Sequence, residues 1–204
     1  MAASRTSLRT FVPPDPPRTP KSARTRQLLL EVSARLFIER GYSAVSLQEI
    51  AASSELTTGA LYGHFRSKGQ LLVEVIRSQV EAADARSDLV DIDIDRGVAM
   101  LHSAIRRDLR LLEVDAAAAA RHDTEVAAGL QALYRDRLAR MQEFLADATD
   151  PVAVAWIVFV LNGGIGIAEA IGQPGPTAEG LDEVLATMFA ALDPQRPDPR
   201  DEGR

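Results

Sequence analysis

Cysteine is absent from the 204-residue chain, and histidine and tryptophan are scarce: only His64, His102, His122 and Trp156 occur. Without thiols there are no disulfides, thiolate nucleophiles, iron–sulfur clusters or Cys-ligated zinc. No nucleophile–base pair, carboxylate–histidine metal motif or phosphate loop can be identified, so neither an enzyme, a cofactor nor a metal is expected. Proline is missing between Lys21 and Asp150, yet five prolines crowd into positions 13–20 and three more stand at Pro194, Pro197 and Pro199. Residues 1–20 and 194–204 therefore read as disordered or polyproline-like tails. The first tail lacks the apolar run of a signal peptide, and a Cys-free chain fits the reducing cytoplasm.

Positive charge is also in short supply, with 23 Lys and Arg against 29 Asp and Glu, for a net charge of −6. Taken whole, that balance argues against a polyanionic partner. Its distribution argues the opposite. Residues 1–70 hold ten basic side chains against five acidic ones, whereas residues 71–204 hold 13 against 24. A basic head stands on an acidic body, as expected if one part meets an anion and the other does something else.

The proline-free interior is rich in Ala, Leu, Arg and Glu and has no alternating β-branched runs, which predicts an all-α fold. A first helix is expected from Arg24 to Arg40, closed by Gly41. Ser46-Leu47-Gln48-Glu49 is a capping box opening a short second helix. Thr57 is placed to cap a third helix, of about nine residues, with Leu61 and Phe65 inward. Ser67-Lys68-Gly69-Gln70 repeats the capping-box pattern and opens a long helix to about Ala85. Two short helices joined by a tight turn after a longer one make a helix-turn-helix. Gly59 and Gly63 each cost the third helix about 1 kcal/mol relative to Ala. Close approach to a wide surface such as a major groove would explain them, and so would a flexible surface turn.

The stretches Ala34-Arg35-Leu36-Phe37 to Gly41-Tyr42, Ser46 to Ala52, and Thr57-Thr58-Gly59-Ala60-Leu61-Tyr62-Gly63-His64-Phe65-Arg66-Ser67-Lys68 resemble the DNA-binding domain of the TetR family of bacterial transcription regulators. The resemblance covers roughly residues 22–72. It implies that Thr58, Ala60, Tyr62, Gly63 and His64 face the DNA groove, and that Ser46, Tyr62, His64 and Lys68 hold phosphates. The family's turn usually reads Ala-Gly-Val-Ser, whereas here it is Ser54-Glu55-Leu56-Thr57. Ser46 and Thr57, at helix N-termini, suit anions in any case. Arg24 and Arg26 could add charge-assisted phosphate bonds. Tyr62 could equally be a packing residue and His64 a plain surface histidine.

In the body, a helix over Asp93–Val114 is expected to carry Val98, Leu101, Ile105, Leu109 and Leu112 on one face, with His102 and Asp108 at its edges. Asp123 caps a further helix that turns Val126, Leu130, Leu133, Tyr134, Leu138, Met141 and Leu145 inward. Asp150-Pro151 starts a helix that is almost wholly apolar to Ala168. This stretch approaches a membrane span in length, but no Lys or Arg flanks it, and no membrane partner is expected. Its small residues Gly164, Ala168 and Gly172, together with a last helix over Thr177–Leu192, suit an isologous homodimer interface. His102, Tyr134, Met141, Trp156, Phe159 and Asn162 are candidates for a small-molecule effector site, although Trp156, Phe159 and Asn162 could equally belong to the dimer interface.

The expected organisation is a basic arm (1–20), a helix-turn-helix DNA-binding domain (21–70), a helical effector-binding and dimerisation domain (71–193) and a tail (194–204). Combined with the resemblance, this implies a dimeric regulator, mainly a repressor, that binds a palindromic double-stranded DNA operator and is released by an unknown small molecule. A constitutive helix-turn-helix DNA binder without an effector is the alternative.

Overall fold

The computed structural model describes residues 11–17, 19–86, 104–144 and 150–175, together with 180, 183, 184 and 187. Among these residues there are seven continuous helices and no strand. They are α1 (Pro20–Arg40), α2 (Leu47–Ser53), α3 (Thr58–Tyr62), α4 (Lys68–Arg86), α5 (Ala104–Ala120), α6 (Thr124–Phe144) and α7 (Pro151–Ala170).

The first helix begins four residues earlier than the sequence suggests. Thr19 accepts a hydrogen bond from the Ser22 backbone N–H, and Pro20 takes a first-turn position where no N–H is needed. Gly41, at φ 82°, ends the helix as expected. The Ser46–Glu49 capping box is complete: the Glu49 N–H donates to Ser46 Oγ and the Ser46 N–H donates to Glu49 Oε2. At the following turn Glu55 adopts φ 55°, the left-handed conformation that glycine takes most easily. The third helix is shorter than expected. It is capped by Thr57 and spans five residues, with Gly63 closing it rather than lying inside it, and Phe65 is fully buried beyond its end. A Cβ on Gly63 would sit 3.2 Å from the Ala60 carbonyl oxygen. Glycine there permits a tight exit toward Phe65, a packing reason for it distinct from approach to DNA.

The body follows the expected caps. Asp123 Oδ1 accepts from the N–H groups of Glu125 and Val126, and Asp150 accepts from that of Ala153 with Pro151 behind it. The helix expected over Asp93–Val114 is described only from Ala104 and continues to Ala120; Val98, Leu101 and His102 lie outside the described residues. So does most of the expected last helix, of which residues 180, 183, 184 and 187 are helical.

At the centre stands α4. Leu71, Leu72, Val73, Val75 and Ile76 are all fully buried, because α4 packs on α1 on one side and on α5 and α6 on the other. One hydrophobic cluster therefore runs from Leu29 and Phe37 of α1, through Leu61 and Phe65, to Leu109, Leu112, Val126 and Leu133 of the body. Packing this continuous transmits displacement rather than absorbing it. Further out, α7 leans on α5 through the Arg110–Glu169 ion pair, whose Arg110 side chain is only 2% exposed.

Candidate nucleic-acid interface

The N-terminus of α3 and its outer face form one exposed surface. Tyr62 is 52% exposed, Thr57, Gly59 and Gly63 are exposed, and Thr58 and Ala60 are half-buried. Nothing but the Thr57 hydroxyl, at 3.9 Å, would meet a Cβ on Gly59, so the backbone there is open to a partner. Thr57 Oγ1 accepts from the Ala60 N–H, which leaves the other first-turn amides available to an anion. Of the groove-facing set implied by the sequence, Tyr62 and Gly63 are exposed and Thr58, Ala60 and His64 are half-buried, and Ser46 is exposed at the start of α2.

Electrostatics alter three of the expected phosphate ligands. Burial, and then the charge of Arg26, lower the His64 pKa from its ordinary 6.5, so near neutral pH the ring is neutral and offers an anion a hydrogen bond but no charge. Lys68 places its Nζ 4.2 Å from the centre of the Tyr42 ring, and burial lowers its pKa. Arg26 is engaged within the protein instead. Its Nη2 lies 2.6 Å from the buried Glu74 carboxylate, and its guanidinium stands over the Phe65 ring at 5.4 Å. Arg26 fastens α1 to α4, and Arg24, two residues back and so on the other side of the helix, is the exposed arginine of the two.

Beside the surface, the capping hydrogen bonds from Ser46 and the charge-assisted bond from Arg40 lower Glu49 from 4.5 to about 2. A carboxylate depressed on folding stabilises the start of α2 fully above its unfolded pKa. That contribution is lost as the pH falls from about 4.5 towards 2.

Three contacts that periodicity could not reveal join head to body. Asp115 of α5 accepts from the Tyr42 backbone N–H at 2.6 Å, Glu125 of α6 accepts from the Ser67 hydroxyl at 2.6 Å, and the Gly69 backbone abuts Asp123 and Val126. Burial, reinforced by Asp123 and Glu125, pushes the Tyr42 phenol up to about 12. The second expected capping box is half formed: Ser67 Oγ accepts from the Gln70 N–H, whereas the Gln70 side chain reaches back to Arg66.

Of the effector candidates, the structure brings four together where α6 meets α7. Tyr134 and Phe159 meet edge to face at 5.1 Å, and Phe159 and Trp156 at 5.8 Å. Asn162 donates to Glu113 Oε2 at 3.0 Å. Glu113, which sequence reasoning missed, also binds Arg137 at 3.0 Å and accepts from the Tyr134 hydroxyl. Burial and that carboxylate raise the Tyr134 pKa. Trp156, however, is 56% exposed and turns outward. Met141 is half-buried on α6.

Residues 29–75 match the family described as bacterial regulatory proteins, tetR family. The HTH-type transcriptional repressor KstR2 of Mycolicibacterium smegmatis is 42% identical over 64 residues, 31% of this chain and 30% of that protein, so the match spans less than a third of the relative's length. The HTH-type transcriptional repressor AcnR of Corynebacterium efficiens is 28% identical over 87% of this chain and 96% of its own length. Among solved structures, a proposed transcriptional regulator from Saccharomonospora viridis, in complex with choline, superposes with a TM-score of 0.66 at 20% identity, covering 82% of this chain and 96% of that one. That likeness shows the fold. Over residues 29–75 the chain carries the N-terminal domain of the tetR family of bacterial regulatory proteins, and its described helices share the all-helical fold of a TetR-family regulator from Rhodococcus, with a TM-score of 0.70 at 16% identity over 83% of this chain and 98% of that one.

Proposed function

We propose that this chain is a ligand-responsive transcriptional regulator, a repressor, that acts as a homodimer in the cytoplasm on a palindromic operator. The observation that carries the DNA-binding part is the exposed, Thr57-capped helix α3 of the helix-turn-helix, where Thr57, Gly59 and Tyr62 face solvent and Thr58 and Ala60 are half-buried between them. Helix N-termini and phosphate contacts fix register, while Thr58 and Ala60 are the side chains small enough to meet thymine methyls in the groove.

The dimer reading rests on α7. By length and composition this helix could cross a membrane. Its inner face is nonetheless committed to the body by Asn162–Glu113 and Glu169–Arg110. Its outer face exposes Val152, Trp156, Val160 and Ile167, with room over Gly163 and Gly164. An apolar face this continuous calls for a cover, and a second copy of the same helix fits it isologously.

Effector release is assigned to α4. A small molecule entering the cluster of Tyr134, Phe159 and Asn162 would disturb Glu113 on α5, and α5 holds the head through Asp115. The relative bound to choline is a precedent for a ligand in this fold. Such a molecule must favour the form that cannot bind DNA, since equal affinity for both forms shifts nothing.

Operators selected from a random duplex pool test the reading. Thr58→Ala and Ala60→Ser should each relax discrimination at one base pair per half-site by about 1–3 kcal/mol, measured by competition with single-base variants. Unchanged specificity in both variants would contradict it.

A further inference from the structure

The seam between α4 and α6 is built for close approach. Each helix contributes a glycine to it: a Cβ on Gly69 would lie 2.9 Å from Val126, and one on Gly129 would lie 2.7 Å from Val73. The same Cβ on Gly129 would lie 2.8 Å from the ring of Phe11. Phe11, nine residues before the first helix, is thus seated in the seam against the Gly129 backbone and the Val73 side chain, half-buried against the hydrophobic core.

Next to it the backbone is pinned. Gln70 has a fully buried side chain whose Nε2 donates to the Val12 carbonyl at 2.8 Å, while its Oε1 accepts from the Arg66 N–H at 2.8 Å. One amide therefore ties the segment before α1 to the loop between α3 and α4. The sequence had suggested a disordered arm over residues 1–20; Phe11 and Val12 are anchored instead.

From Val12 the chain runs to the Thr19 cap of α1 through Pro13, Pro14, Pro16 and Pro17. A stretch so rich in proline is a semi-rigid spacer of about 3.1 Å per residue rather than a slack tether. Its ends are fixed to different parts of the molecule: one to the start of α1 in the head, the other to the α4–α6 seam where head and body meet, through Phe11 against Gly129 and Val12 against Gln70.

We propose that residues 11–17, leading to the Thr19 cap, form a latched strut, in which Phe11 keeps the α4–α6 seam shut and the prolines hold the DNA-binding head at a set position relative to it. When α4 parts from α6, the slot for Phe11 opens and the strut ceases to hold α1. This inference builds on the regulator reading above and adds to it a device that sets the head's resting geometry. The strut acts by positioning and touches no DNA itself.

Two variants of the full chain separate latch from strut. Phe11→Ala empties the slot; the quadruple variant Pro13→Gly, Pro14→Ser, Pro16→Gly, Pro17→Ser leaves the slot filled but makes the connection slack. Hydrogen exchange of the free protein is read over residues 68–73 and 126–130, and affinity for a selected operator duplex is measured across a salt series. In Phe11→Ala, exchange should rise at both seam segments and operator affinity fall about fivefold. In the proline variant, affinity should fall by a similar factor while the seam stays protected. In both, the slope of log affinity against log salt should be unchanged, because no phosphate contact is lost.

Unchanged exchange in Phe11→Ala would overturn the latch. Seam loosening without loss of affinity, or a loss accompanied by a shallower salt slope, would overturn the strut, the latter by showing that the arm's own arginines bind phosphate. If the unaltered chain selects no duplex at all, the regulator reading fails, while the exchange measurement still decides the latch.

Discussion

Replacing Val160 by Arg should leave the chain folded but monomeric, and should weaken operator binding about a hundredfold or more. Val160 is 50% exposed on the outer face of α7, so a long cation there meets solvent in the single chain. In an isologous dimer the same substitution brings two guanidinium groups together across the two-fold axis, desolvated and without partners. Losing the partner also removes the second head. A dimer engages its second half-site at an effective concentration set by the link between heads, a gain of about 10²–10⁴ that a monomer forfeits. Sedimentation velocity reads the oligomeric state, circular dichroism confirms retained helix, and operator titration reads the affinity. A dimeric Val160→Arg chain with full affinity would move the interface elsewhere.

The second large effect is on stability. Glu169→Ala should destabilise the chain by about 3 kcal/mol in denaturant unfolding, because it takes from a buried arginine the carboxylate it was folded against. Arg110 presents Nε and Nη2 to the two Glu169 oxygens at 2.7 and 2.5 Å, a forked geometry that lysine could not reproduce. Arg110 also packs closely on Gly166, where a Cβ would come within 3.1 Å of the Arg110 Cβ, so α5 and α7 approach closely where the charge is buried. Removing both charges should cost much less: Arg110→Met with Glu169→Leu is expected to recover most of the loss, since apolar pairs of similar volume replace buried ion pairs at little cost. The midpoint and slope of urea unfolding for Arg110→Met, Glu169→Leu and the double variant form the cycle that decides it. Additive losses would mean the two groups act independently. The pair also fixes the spacing of α5 and α7 near the Glu113–Asn162 contact, so Glu169→Ala should disturb the candidate effector cluster as well.

Much of the head was legible because its signals are local. Ser46 with Glu49, Thr57 and Gly41 are helix ends written within three or four residues, and each performs the capping expected of it, as Asp123 does in the body. Thr19-Pro20 carries the same signal as Asp150-Pro151 but was hidden by the surrounding prolines, so the first helix was placed late. The third helix is shorter than its sequence suggests because Leu61 and Phe65, both buried at helical spacing, are separated by Gly63, where the chain leaves the helix.

What stayed hidden lies in pairings distant along the chain. Arg26 resembles a phosphate ligand until Glu74, 48 residues on, is seen to be buried against it. Gln70 reads as the far end of a capping box, and only the fold brings Val12 within its reach. Glu113 lies on a helix whose apolar stripe was the visible signal, and its three partners come from α6 and α7. Glu55 shows the converse. The residue departs from the family's glycine, yet the turn keeps its left-handed backbone, at a strain of about 1 kcal/mol.

A footprint on a selected operator duplex, with stoichiometry measured in the same complex, tests most directly whether two copies of α3 read two successive major grooves. Two chains per site should protect two half-sites centred about 10–10.5 base pairs apart, on one face of the duplex. One chain per site, or uniform protection that does not depend on sequence, would contradict it.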